Sequence, residues 1–97
     1  MLVLTRKLGE VLHIGSATVK LFSIAKHALV LDMNLNGEDL TVCVRHDQYT
    51  AIQVDGHCVY LEYLEMRGSQ VRIGIAAPAD IKILRKEILN KKTSSGN

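Results

Sequence analysis

Apolar and polar residues alternate with a period of two along most of the 97-residue chain, and this pattern constrains the fold more than any other feature. Successive side chains of a strand point to opposite faces of a sheet, so such alternation is typical of half-buried strands. Asn36-Gly37 and Asp55-Gly56 lie between alternating segments and are strong hairpin signals. The predicted strands are LVLTR, VLHIG, TVKLFSIA, ALVLDMNL, LTVCVRH, VDGHCVYLEYLEM, VRIGIAA and IKILRKE.

Strands at this spacing, with turn signals between them, predict an all-β fold: a small antiparallel β-sheet or barrel-like domain. The length fits one domain, which we assign to residues 1–92. Only two segments could be helical: RHDQYTAIQV, for a turn or two, and LRKEILNKK, as a short C-terminal helix. The polar residues 93–97 predict a disordered tail.

Composition narrows the class of protein. The net charge of +2 argues against a polycationic chain that coats nucleic acid without specificity. Two cysteines do not form a disulfide framework, and we expect Cys43 and Cys58 to be buried or half-buried free thiols. We find neither a signal peptide nor an apolar run of the ~20 residues that span a bilayer, so a cytoplasmic protein is expected.

No constellation of residues predicts an enzyme, a cofactor or a metal site. The four histidines have no ligand-like spacing with one another or with the cysteines, and GEVLHIGS lacks the Lys-Ser/Thr ending of a phosphate-binding loop. The acidic residues Asp32, Glu62 and Glu65 are expected on solvent-facing positions rather than in a catalytic pair.

Five cations lie near the two ends of the chain. They are Arg6, Lys7, Lys82, Arg85 and Lys86. If the terminal strands are neighbours, these cations form one basic patch that suits RNA phosphates. Arginine can also donate two hydrogen bonds to a guanine edge. The alternative interpretation is a set of solvated edge-strand cations that hinder aggregation.

Two segments, MLVLTRKLGEVLHIG and RGSQVRIGIAAPADIKILRKEI, resemble the carbon storage regulator family (CsrA/RsmA). The resemblance implies a small β-rich bacterial homodimer that binds RNA at GGA motifs, often in hairpin loops of mRNA leaders or in small RNAs. It implies control of translation and mRNA stability. It further implies that the first strand of one subunit lies beside the last strand of the other, and that these two strands form the RNA surface.

Carried over by this resemblance, the candidate RNA-binding residues fall on the first strand, the Ala-Pro loop and the last strand. They are Leu4, Thr5, Arg6, Lys7, Ala77, Pro78, Ile81, Ile83, Arg85, Lys86 and Ile88. The resemblance gives Arg85 the largest role. The chain departs from the family at Leu84, where the family commonly has His, and at Lys86, where it commonly has Glu.

The middle of the chain, about residues 16–58, is an extra segment relative to the family. It is either an insertion or a diverged second copy, because 19–34 aligns without gaps with 61–76. In that second interpretation 40–44 mirrors 81–85, and Val44 stands where Arg85 would be. The two alternatives predict a strand-exchanged homodimer or a monomeric fused pseudo-dimer, and we favour the homodimer.

Two functions of different class follow. One is a sequence-specific RNA-binding post-transcriptional regulator. The other is a protein-binding adaptor or antagonist that acts through its inserted middle, with exposed apolar residues of 40–60 controlling affinity.

Overall fold

The computed structural model describes residues 1–85, most of which are in strands. The nine strands within this range are β1 (Leu2–Lys7), β2 (Val11–Ile14), β3 (Ala17–Ile24), β4 (Ala28–Leu35), β5 (Glu38–Arg45), β6 (Tyr49–Val54), β7 (His57–Arg67), β8 (Gln70–Ala76) and β9 (Ile83–Arg85). The predicted antiparallel all-β fold is confirmed. The predicted C-terminal helix beyond Arg85, the tail at 93–97, and the candidates Lys86 and Ile88 lie outside the described residues.

The strands form two antiparallel sheets. One sheet has the order β1-β8-β7-β6, and the other has the order β5-β4-β3-β2-β9. The first and last strands are therefore not direct neighbours within this chain, and their pairing between the subunits of a homodimer stays a prediction. Strand β1 pairs with β8, and β9 pairs with β2 in the other sheet.

Aliphatic side chains fill the core between the sheets, as the near absence of other large apolar residues requires. The buried Leu, Ile and Val residues are Leu12, Ile14, Val19, Leu21, Leu29, Leu31, Val44, Ile52, Val54, Val59, Leu61, Val71, Ile73, Ile75 and Ile81. Tyr63 is also buried, and its hydroxyl donates a hydrogen bond of 2.9 Å to the carbonyl oxygen of Ala25. That bond satisfies the polar end of an otherwise apolar side chain.

The two sheets repeat one pairing pattern, in which residues 2–7 correspond to 40–45, 11–14 to 49–52, and 17–35 to 59–77. The register of β3 with β4 shifts between Leu21 and Ser23. The register of β7 with β8 shifts at the corresponding point, between Tyr63 and Glu65. Since a bulge is a specific local feature, its repetition supports a true internal repeat rather than shared alternation alone.

The turns after the two edge strands β1 and β5 also match. The amide of Glu10 donates to the carbonyl oxygen of Lys7 at 3.0 Å, and the amide of Gln48 donates to that of Arg45 at 3.2 Å. Segment 40–44 therefore mirrors 2–6, and the prediction that it mirrors 81–85 is wrong. Strand β5 occupies beside β4 the place that β1 occupies beside β8.

The middle segment 16–58 contributes strands to both sheets and is not a peripheral addition. The predicted helical turn in RHDQYTAIQV is wrong, because Tyr49–Val54 forms β6. Ile52 and Val54 alternate into the core, and β6 pairs along its length with β7. The Asn36-Gly37 turn has positive φ at both residues, which confirms the hairpin between β4 and β5.

Candidate nucleic-acid interface

Strand β1 presents two different faces. Thr5 and Lys7 are exposed on the outer face of the sheet, whereas Leu4 packs partly against the core. Arg6 also points to the core side, because alternate residues of a strand share a face. Of the candidates on β1, the outer pair is therefore the one open to a ligand.

Arg6 is only 3% exposed. Its Nε atom donates a 2.8 Å hydrogen bond to the carbonyl oxygen of Thr5, and Nη1 lies 3.8 Å from Glu10 Oε1. The same Glu10 oxygen accepts a 2.7 Å hydrogen bond from the amide of Lys7. Arg6 is thus built into the turn that follows β1, unlike the solvated edge-strand cation of the alternative interpretation. A direct contact between Arg6 and RNA stays a prediction.

Arg85 reaches the same corner of the molecule from the other end of the chain. Beyond Lys7 the backbone crosses from the first sheet to the second, where Glu10 pairs with Leu21. Two residues further on, Leu12 lies directly opposite Arg85 in the β2–β9 pair. Arg85 therefore shares with Leu12 the face that looks towards the core, at the open edge of its sheet.

The remaining described candidates help to build the core more than they form an open surface. Ile81 is buried, and Ala77 and Ile83 pack partly against the core. Pro78 is exposed, and its carbonyl oxygen accepts a 3.0 Å hydrogen bond from the amide of Ile81. These residues position β9 against β2.

Two arginines that the sequence analysis did not single out lie beside β1. Arg72 is directly opposite Thr5, and Arg67 is opposite Gln70, the residue that lies opposite Lys7. Residues opposite one another share a face, so Arg67, Arg72 and Lys7 form one cationic strip on the outer face, which we call the β1 strip. The alternation in QVRIG is a signal that Arg72 points outward, but only the register shows that it lies beside β1.

Glu65 lies within the β1 strip and pairs with both arginines. Its Oε1 atom is 2.5 Å from Nε of Arg67, and its Oε2 atom is 3.7 Å from Nη1 of Arg72. All three side chains are at least one-third exposed, so water screens these ion pairs and they contribute little to stability. An approaching polyanion competes with Glu65 for the two arginines.

Asp55 joins the turns of the two repeats. Its Oδ2 atom accepts a 2.9 Å hydrogen bond from the amide of Ser16, and its Oδ1 atom accepts one from the Ser16 hydroxyl. These hydrogen bonds, first the side-chain one and then the backbone one, lower the pKa of Asp55 below its usual 3.8, and His57 adds a smaller effect in the same direction. The β2–β3 turn also receives the chain before β9, since the amide of Gly15 donates to the carbonyl oxygen of Lys82 at 2.8 Å.

The other potentially reactive groups do not assemble into a site in the part of the chain that is described. Both cysteines are free; Cys58 is half-buried, as expected, but Cys43 is exposed because it lies on the outer face of edge strand β5. Across residues 1–85 no three His, Cys, Asp or Glu side chains are grouped so as to hold a metal ion. The same residues contain no helix with the length and hydrophobicity to cross a membrane.

Comparison with known proteins gives one family. The model of the CsrA family, described as a global regulator protein family, matches residues 40–94, more than half of the chain. The match begins inside β5, the strand that corresponds to β1. No solved structure matches the chain.

Two curated relatives are both named translational regulator CsrA. The one from Geobacter sulfurreducens is 31% identical over 91 residues, which cover 94% of this chain and 63% of the relative. The one from Geobacter metallireducens is 47% identical over 36 residues, which cover 37% of this chain and 46% of the relative. In both cases the chain matches less than two thirds of the relative's length.

Proposed function

The chain belongs to the CsrA family of global regulators, and from that premise we propose that it is a post-transcriptional regulator that binds RNA. Its ligand is single-stranded or hairpin-loop RNA with a GGA motif, in mRNA leaders or small RNAs of the cytoplasm. Binding controls translation and mRNA stability. The name of the two relatives, translational regulator CsrA, supports the regulatory part of this proposal.

The observation that carries the proposal is that Lys7 and Arg85, from opposite ends of the chain, both lie near the turn between β1 and β2, Lys7 on the outer face of one sheet and Arg85 at the open edge of the other. Lys7 ends β1, and Arg85 lies opposite Leu12 just after the turn that leaves β1. Arg67 and Arg72 extend the charge over the neighbouring strands. A strip of separated cations beside an open strand edge suits the phosphates and splayed bases of single-stranded RNA.

The residues of this surface have different roles in the proposal. Lys7, Arg67 and Arg72 contact phosphates and supply affinity without reading the sequence. Arg85 reads a base edge, because its guanidinium can donate two parallel hydrogen bonds to a guanine. Arg6 is a positioning residue: with Glu10 it fixes the turn that brings β1 and β2 together.

A gel-shift titration tests this proposal with two hairpins that differ only in a GGA or CCA loop. Wild-type protein is expected to prefer the GGA loop, and Arg85→Ala to lose about 1–3 kcal/mol of binding free energy on that RNA. Lys26→Ala is the matched control, because Lys26 is an exposed cation in the turn between β3 and β4, beside the end of β5. Equal affinity for both loops contradicts sequence-specific recognition.

One observation favours a second candidate, a protein-binding adaptor. Tyr49 and Tyr60 are large, exposed side chains on β6 and β7, beside Ala76. Tyr60 lies opposite Ala51 on one side and Ala76 on the other, so the two tyrosines form an apolar patch on the outer face. For this candidate, Tyr60→Ser abolishes regulation in cells while RNA affinity stays unchanged. This candidate is contradicted if Arg85→Ala loses regulation in cells and Tyr60→Ser does not.

A further inference from the structure

We infer that one chain carries a single RNA-binding surface, at β1, and that the corresponding edge at β5 has lost the ability to bind RNA. The inference rests on the proposed function and concerns how many RNA segments one chain binds. Its basis is the internal repeat, which gives the residues of β1, β2, β7 and β8 counterparts on β5, β6, β3 and β4.

The central row of the β1 strip has no charged counterpart. Thr5, Arg72 and Glu65 lie side by side across β1, β8 and β7. The corresponding row across β5, β4 and β3 is Cys43, Val30 and Ser23. The arginine that would meet a phosphate is replaced by an aliphatic side chain, and its carboxylate partner is replaced by a hydroxyl.

The next row retains one of its two cations. Lys7 and Arg67 flank Gln70 in the β1 strip. Their counterparts are Arg45, which lies opposite Ala28, and Ala25, whose amide donates a 2.9 Å hydrogen bond to the carbonyl oxygen of Ala28. The three cations Lys7, Arg67 and Arg72 are therefore reduced to Arg45, and each lost cation removes one phosphate contact.

The core-facing positions near β5 also lack the arginines that are present near β1. Arg6 corresponds to Val44, which is completely buried. Leu12, which lies opposite Arg85, corresponds to Thr50 on β6. Among residues 1–85, β6 pairs only with β7, so no counterpart of β9 brings a second Arg85 to this edge.

The presence of a cation at Arg45 can be explained without RNA binding. Arg45 is the last residue of an exposed edge strand, and a charge there disfavours edge-to-edge pairing with another molecule. The turn that contains Lys26 and His27 lies beside the end of β5, where the amide of His46 donates a hydrogen bond to the carbonyl oxygen of His27. Arg45 and Lys26 near this turn provide neither the strip of charge nor the base-reading arginine of the β1 side.

Native mass spectrometry with a GGA-loop hairpin, combined with one pair of matched variants, tests this inference. Lys7→Ala and Arg45→Ala remove one exposed cation each from corresponding ends of β1 and β5. At saturation the wild-type complex is expected to contain one RNA per chain. Lys7→Ala is expected to weaken binding severalfold. It should also reduce the slope of log affinity against log salt concentration by about one. Arg45→Ala should leave both the affinity and this slope unchanged. Circular dichroism confirms that both variants fold.

Each outcome separates the two proposals. Two RNAs per chain, or equal weakening by Arg45→Ala and Lys7→Ala, leaves the proposed function intact and overturns the single-surface inference. One RNA shared by two chains also overturns it, because the surface is then completed between molecules. No complex of wild-type protein with any RNA contradicts the proposed function itself.

Discussion

Arg6 and Val44 occupy corresponding positions on the two edge strands, Arg6 opposite Val71 and Val44 opposite Leu29. Both residues are buried. At Val44 the position is an ordinary part of the aliphatic core. At Arg6 the same position carries a guanidinium that Glu10 and the Thr5 carbonyl oxygen keep hydrogen-bonded and paired.

Arg6→Val and Val44→Arg are expected to have unequal effects on stability. Arg6→Val should cost less than about 2 kcal/mol, because valine fits the corresponding site and Glu10, about one-third exposed, stays hydrated. Val44→Arg should cost about 3–5 kcal/mol, because it buries a cation without an anionic partner. At this site Gln48 stands in the place that Glu10 occupies beside Arg6. Urea unfolding of both variants measures the two losses in free energy of unfolding. Equal losses would show that the two positions tolerate a buried arginine equally well.

The strands and most turns follow from the sequence because alternation and Asn-Gly or Asp-Gly pairs are local signals. The counterpart of β5 in the internal repeat did not follow. Alternation shows that Val42 and Val44 share a face, but it does not show whether the strand joins the sheet as a first or as a last strand. The two-residue turn at Asn36-Gly37 settles this, because it folds β5 directly back on β4.

The candidate site was predictable only in part, for a similar reason. Lys7 and Arg85 were identified from the two ends of the chain. Arg67 and Arg72 were not, because their place beside β1 depends on the register of β1 with β8. The burial of Arg6 was missed because charge alone does not show which face of a strand is covered.

Gly15→Ala is expected to destabilise the protein more than Gly68→Ala. The two glycines have similar positive φ values, 57° and 59°, so both substitutions incur backbone strain of about 1–2 kcal/mol. A Cβ atom at Gly15 would also lie 2.5 Å from Asp55 Oδ2 and 3.1 Å from Val54 Cγ1, whereas nothing lies within 4 Å at Gly68. Thermal unfolding of the two variants makes the comparison. Equal losses of stability would mean that Asp55 and Val54 move away from the new Cβ atom at no energetic cost.

Asp55→Asn is expected to destabilise the protein at neutral pH but not in strong acid. The hydrogen bonds from Ser16 lower the folded-state pKa of Asp55 below the usual 3.8. Its stabilising contribution is therefore complete above about pH 3.8, and it is lost as the pH falls through the lower folded-state pKa. Urea midpoints of wild type and Asp55→Asn should converge in acid, and a gap that is constant with pH contradicts this role of the carboxylate.

Glu65→Gln is expected to strengthen RNA binding roughly two- to fivefold, the range of a weak surface ion pair. The change releases Arg67 and Arg72 from their shared carboxylate, so both can contact phosphates. Glu62→Gln is the control with the same change of charge, since Glu62 lies opposite Gly74 and Tyr49 and outside the β1 strip. Fluorescence anisotropy at moderate salt measures both affinities. Equal gains would mean that only net charge matters.

The most direct measurement of the central claim is an NMR titration of the amide signals with a GGA-loop hairpin RNA. We expect large shifts at Thr5, Lys7, Arg72 and Arg85, on β1, β8 and β9. The signals of Cys43, on β5, should stay in place up to saturation. Shifts of similar size on β1 and β5, or shifts confined to β5 and β6, would contradict an RNA surface formed at β1 alone.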